Sequence, residues 1–335
     1  MSSSAVPFTN ETVVSFQQAK TLRYHSDHAS ITSIDFDDSG LHCLTCAIQD
    51  ESIQLYDCKT GKHNKTIFSK KYGVNLARFT HHSMNCVYAS TKEDDTIRYL
   101  SLHDNHYIRY FRGHKDRVVG LEVSPVEDVV LSSSLDHSVR LWDLRSPTCQ
   151  GLLNIPAPSL IAFDATAMVF AVASQSVNNI SLYNVKAYDR RPFASFSLDS
   201  PVGVTWTKIE FANTGKLILL STDGDVHYLL DGYQGYRVAV LRGHVPIAGR
   251  SSSTLSHTSF TVDGRYIFGG SGDQNVYVWD TAKASGQSDH LTLRPIGTLT
   301  CDQGMPALVA FSPKTMLMAT ADTGLTFWLP EKGDQ

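Results

Sequence analysis

The sequence predicts an all-β fold, a seven-bladed propeller closed on itself, and three observations carry that prediction. The first is a recurring apolar residue, Ile53, Ile97, Val139, Ile180, Val226, Val276 and Leu325, at successive intervals of 44, 42, 41, 46, 50 and 49 residues. Three positions before it stands Asp50, Asp94, Asp136, Asp223, Asp273 or Asp322, and the fourth copy alone departs, with Val177. The second is an independent column 14 to 18 residues upstream: Phe36, Phe79, Val123, Phe163, Phe211, Phe260 and Phe311. The third is what lies between the columns, short β-rich runs broken by turn residues, with no sustained 3.6-residue periodicity.

The third copy shows the unit most clearly. Apolar runs at 118–123, 129–133 and 139–142 are punctuated by Ser124-Pro125, Leu135-Asp136 and Arg145-Ser146-Pro147. A fourth run completes a strand quartet of 41 to 50 residues, the size of a propeller blade. A lone blade cannot bury both faces, so seven must stack around a channel. After the third strand of blade 7, at 325–329, too few residues remain for a fourth, and 20–26 is expected to supply it from the other end of the chain. The expected organisation is one domain over 1–335: an arm at 1–19, the closing strand at 20–26, blades 1 to 7 over 27–330, and a tail at 331–335. Ring closure of this kind removes exposed sheet edges.

Composition excludes several functions. Lys plus Arg total 29 and Asp plus Glu 33, a net charge of -4, which argues against nucleic-acid binding through a general basic field. No run approaches 18 apolar residues, and the first residues have neither the charged nor the apolar region of a secretion signal. An intracellular chain with six reduced cysteines is expected. Cys43-Leu44-Thr45-Cys46 has half of a zinc-site spacing, but an odd separation on a strand sends the two sulfurs to opposite faces. His81-His82 and the pair His103 and His106 fall at turns. No phosphate-cradling glycine loop, nucleophile elbow or His-Glu-x-x-His occurs, so no catalytic residue, metal or cofactor is expected. The remaining candidates for chemistry are Asp35, Glu122 and Glu210, each one residue before the Phe column, where they would approach the channel. Arg78 shares that position, which favours ion pairs between blades.

Gly113-His114 and Gly243-His244 upstream of Trp142-Asp143 and Trp279-Asp280 resemble the WD-repeat family; Tyr56-Asp57, Tyr183-Asn184 and Trp328-Leu329 are weakened forms of the same ending. The motif implies a buried polar chain from a turn Asp through a loop His and a strand Ser to the indole N–H. In blade 3 it would join His114, Asp136 and Trp142 through Ser134 or Ser132, and in blade 6 His244, Ser271, Asp273 and Trp279. Repetition from blade to blade marks these sets as structural rather than catalytic.

The strings Ser69-Lys70-Lys71-Tyr72-Gly73, Asp94 to Leu102, Tyr107-Ile108-Arg109-Tyr110-Phe111 and Ser138 to Gln150 narrow the resemblance. They are similar to the small WD-repeat protein shared by COMPASS-type histone-lysine methyltransferase complexes and by the cleavage-and-polyadenylation machinery or its associated nuclear phosphatase complexes. The resemblance implies a nuclear, non-catalytic scaffold, a monomeric propeller within hetero-complexes. Its expected partners are a methyltransferase catalytic subunit, a polyadenylation or phosphatase scaffold, and the phosphorylated tail of RNA polymerase II, with no direct nucleic-acid or membrane contact. Geometry alone selects the contact residues. Lys70, Lys71, Tyr72, Arg112, Lys115 and Arg117 fall on the top rim of blades 1 to 3. Trp206 starts a first strand outside the usual Trp position, as an expected aromatic anchor. Arg250 lies in an insertion at 245–253, and the Ser/Gly-rich loop 281–295 is expected to be a flexible connection on the opposite face. Two alternatives stay open, a stand-alone reader of phosphopeptides or histone tails through Arg112, Lys115 and Arg117, and a propeller enzyme using Asp35, Glu122 and Glu210.

Overall fold

The computed structural model describes residues 7–247, 257–284, 286, 291–302 and 304–331. These residues form seven sheets, six of four strands and one of five. Within each sheet four strands run antiparallel, innermost first; blade 3, for example, is Val118–Val123, Val129–Ser134, Ser138–Asp143 and Cys149–Asn154. The protein is a seven-bladed propeller.

The cores lie between blades rather than within them. Ile31, Tyr56, Leu308 and Phe327 pack blade 7 on blade 1, and Leu44, Ile53, Val74 and Tyr88 pack blade 1 on blade 2. Equivalent clusters continue around the ring. The central strands of each blade thus bury both faces, which is why they read as nearly continuous apolar runs, while the outer strands keep an exposed face. Cys43 joins the first of these cores and Cys46 the second, so their sulfurs do point to opposite faces. None of the six cysteines is in a disulfide.

The ring is closed by Phe16–Leu22, which pairs antiparallel with Leu325–Pro330 from Phe16↔Pro330 to Leu22↔Leu325. This corrects the expected position at 20–26, which lies four residues too late. The cause is Phe16, which packs against Phe268 and Phe311 at 5.5 and 5.7 Å and anchors the strand earlier than its polar middle, Gln17 to Thr21, suggests. Residues 10–14 of the expected arm form a short helix, Asn10–Val14, capped by the Thr9 hydroxyl, with Val13 fully buried.

The loop at 281–295 also differs from expectation. Thr292–Leu293 adds a parallel fifth strand to the outer edge of blade 5, pairing Val240↔Thr292 and Leu241↔Leu293, and buries Leu293. Leu291 and Leu293 supply apolar contacts that the Ser/Gly content masks. In blade 4 the missing turn Asp is replaced by a 3-10 turn, Gln175–Val177. There the Gln175 amide oxygen accepts the Trp206 backbone N–H at 2.8 Å and its amide donates to the Val204 carbonyl, so this turn is tied forward to blade 5, whereas Asp136 ties its turn back to the loop before its own blade.

Candidate interaction surface

Blade 3 contains the expected polar chain. The His114 imidazole bonds Asp136 through Nδ1 at 3.0 Å and Ser132 Oγ through Nε2 at 2.7 Å, and the Trp142 indole N–H donates to the same Ser132 at 2.9 Å. Ser132 is the bridge; Ser134 instead donates to the Asp116 carbonyl at 2.7 Å. The Asp136 carboxylate also accepts from the Lys115 and Ser138 backbone N–H groups and the Ser138 hydroxyl. Burial opposes its charge, but these bonds outweigh burial and hold the carboxyl well below the ordinary range.

Blade 6 does not form this chain. His244 bonds the Gly224 carbonyl through Nε2 at 2.9 Å, Trp279 donates to the Arg242 carbonyl, Ser271 engages the Val245 backbone, and Asp273 accepts from Tyr277. The reason is one position: aligning Asp273 with Asp136 places Gly269 where blade 3 has Ser132. No hydroxyl can bridge, and a Cβ at Gly269 would stand only 2.7 Å from the Trp279 ring. His244 instead stacks on His227, centroids 4.1 Å apart, with His257 at 5.0 Å from His227. Burial drives all three imidazoles toward the neutral form, His257 down to about 3.

Two networks escaped the sequence reading. In blade 1, His25 joins Asp50 at 2.9 Å and Thr45 at 2.8 Å. In blade 2 an arginine takes the central place: Arg98 is 2% exposed, donates to Asp94 at 2.9 and 3.3 Å, and lies 3.6 Å above the Tyr72 ring. The Asp column was the available signal in both.

The top rim carries the candidate contacts in a more mixed field than their sequence suggests. Lys70 and Lys71 are exposed, with ammonium groups over Phe68 at 5.3 Å and Tyr72 at 5.0 Å, and Arg112 lies over Tyr110 at 5.2 Å. These three form a band of cations resting on aromatic rings. Tyr72 itself is half-buried, holding Arg98 as much as facing solvent. Lys115 and Arg117 are exposed, but Asp116 stands between them, and burial together with Asp116 and Asp94 raises the Asp95 carboxyl. Acidic side chains therefore interrupt the basic rim. Trp206 is no anchor: it is 4% exposed in the core between blades 4 and 5, with its indole N–H on Ser200 at 3.2 Å. Arg250 lies outside the described residues.

The channel carboxylates are tied to neighbouring blades. Asp35 accepts the Phe79 N–H at 2.7 Å, Glu122 accepts Arg78 at 3.2 Å, and Glu210 takes Lys208 at 2.7 Å and the Phe260 N–H at 3.3 Å. Burial lifts Asp35 to about 7 against the pull of Arg78. Among the described residues no cluster of His, Cys, Asp or Glu is arranged to hold a metal, and no helix is long and apolar enough to cross a membrane.

With this geometry in place, similarity to known proteins becomes interpretable. The model of the WD domain, G-beta repeat, matches residues 16–57, 105–143 and 235–280. WD repeat-containing protein 82 of Drosophila melanogaster is 40% identical over 326 residues, covering 97% of this chain and 98% of that protein. The chain belongs to this family of WD-repeat proteins. Other members are the Set1 complex component swd2 of Schizosaccharomyces pombe, 37% identical over 97% of this chain and 99% of its own length, and the COMPASS component SWD2 of Saccharomyces cerevisiae, 34% identical over the same shares.

Proposed function

We propose that the protein is a non-catalytic scaffold subunit of a nuclear, COMPASS-type histone-lysine methyltransferase complex. The observation that carries this reading is full-length similarity to two proteins described as Set1-complex and COMPASS components. The propeller supports it, since seven interlocked blades offer a rigid surface and the channel carboxylates each hold a bond to a neighbouring blade. The reading extends to a second set of assemblies, those of mRNA 3′-end processing and the associated phosphatase, and to a link with transcribing RNA polymerase II. It rests there on the strings in blades 1 to 3. The contact surface in this reading is the top rim of those blades, where Lys70, Lys71 and Arg112 stand over aromatic rings and suit acidic or phosphorylated segments.

The test is affinity purification of the tagged full chain from nuclear extract, with identification of what co-purifies. Recovery of a methyltransferase catalytic subunit in one assembly and a polyadenylation or phosphatase scaffold in another is the expected result. Absence of any methyltransferase subunit overturns the first reading, and absence of the 3′-end factors overturns the second.

A further inference from the structure

The channel opens on the bottom face into a cavity of about 340 Å³ that no inter-blade bond fills. At about 30 Å³ per water this holds roughly ten solvent molecules. Its lining carries five carboxylates, Asp35, Asp38, Glu122, Asp164 and Glu210, against two cations, Arg78 and Lys208. Both cations are already engaged, Arg78 with Glu122 and Lys208 with Glu210 and the Thr258 carbonyl. Carboxylates therefore outnumber cations in the lining, with His81 bonding Asp38 at 2.7 Å from outside it. Around this mouth the turns between first and second strands expose apolar side chains where polar ones would be expected. Leu41 is 46% exposed, and Val126 and Met168 are each 61% exposed. Pro125 and Ala165, beside the latter two, line the cavity itself.

We propose that the bottom mouth seats a lysine or arginine side chain of a partner segment, whose neighbouring aliphatic residues rest on Val126 and Met168. The excess of carboxylates selects the cation, and the concave, partly apolar mouth strengthens the pairing relative to a flat surface in open solvent. An anionic or phosphorylated ligand would meet five carboxylates, so this surface takes the opposite chemistry to the top rim. The proposal stands whichever complex the chain joins.

The test pans a phage-displayed library of random dodecapeptides against the immobilised full chain. Enrichment of peptides with Lys or Arg beside aliphatic residues is expected. Exchanging that cation for Gln should weaken the synthetic peptide at least about tenfold, the scale of one lost charge-assisted contact. Ala165→Trp, which narrows the mouth, should do the same, while Lys70→Glu with Lys71→Glu should leave binding unchanged. If Ala165→Trp does not fold, the exposed pair Val126→Ser and Met168→Ser makes the same comparison. No enrichment, enrichment of acidic peptides, or binding indifferent to the mouth variants in folded protein would overturn the proposal.

Discussion

The Arg98 guanidinium lies 3.6 Å from the centroid of the Tyr72 ring, and this contact converts a rim residue into part of blade 2's interior. The planar cation is almost fully buried, with Asp94 on one side and an aromatic face on the other. Desolvation of this kind is what makes a cation–π contact strong. A double-mutant cycle of Tyr72→Ala and Arg98→Ala, followed by urea unfolding, should give a coupling free energy of about 1–2 kcal/mol. Additive effects would mean that the ring contributes only its area.

Blades 3 and 6 should respond differently to loss of the same Asp. Asp136→Ala strands His114 and the Lys115 N–H and should cost about 2–4 kcal/mol. Asp273→Ala removes bonds that an exposed side chain accepts from Tyr277 and its sequence neighbours Ser271 and Asn275 and should cost no more than about 1 kcal/mol. Equal losses in thermal melting would contradict the geometry.

Gly269→Ser, which writes the blade 3 serine into blade 6, should destabilise rather than repair. The new Cβ meets the Trp279 ring at 2.7 Å, an overpacking of about 1–3 kcal/mol. A rise in melting temperature would show that the ring can move aside and accept the hydroxyl.

The buried trio His227, His244 and His257 predicts acid sensitivity. Folded-state proton affinities lie below the unfolded value near 6.5, so the unfolded chain binds more protons as pH falls. The associated stability is present above about 6.5 and is lost progressively below it, for His257 down to about 3. Each group contributes at most about 1.4 kcal/mol per pH unit. His227→Phe should flatten the fall in urea midpoint between pH 6.5 and 5 relative to the unmodified protein. Identical slopes would place the acid response elsewhere.

On the rim, reversing Lys71, Arg112 and Lys115 to Glu should weaken binding to acidic partner segments and reduce its salt dependence with little change in melting temperature, because all three are exposed. Normal binding by the triple variant would move the contact off this face.

The blade count, the strand order and the closure through blade 7 were legible because a buried face must repeat wherever its environment repeats. Individual contacts were less so. Trp206 aligns with Ile31, Val74 and Val118, and all of them are buried, so its column already said core; the aromatic side chain drew attention from the register. Ser132 and Ser134 differ by two positions and share a face of the strand, so only the distance to His114 separates them. The same two-residue ambiguity made Ser271 look like a bridge when Gly269 held that place. Arg98 went unrecognised because charge reads as surface until a ring and a carboxylate are found to enclose it.

The pairing of Phe16–Leu22 with Leu325–Pro330 has a consequence in time. Thr21 and Thr326, whose hydroxyls bond at 3.0 Å, are 305 residues apart. At about 5–20 residues per second of synthesis, the early strand waits roughly 15–60 seconds on the ribosome before its partner exists. Throughout that interval six blades can stack while the seventh lacks three of its strands, leaving Phe16 and an unpaired ladder open to other chains. Closure of this ring therefore comes only after the other six blades have been synthesised, and holding the nascent N-terminal strand apart until then becomes the task of whatever meets it first.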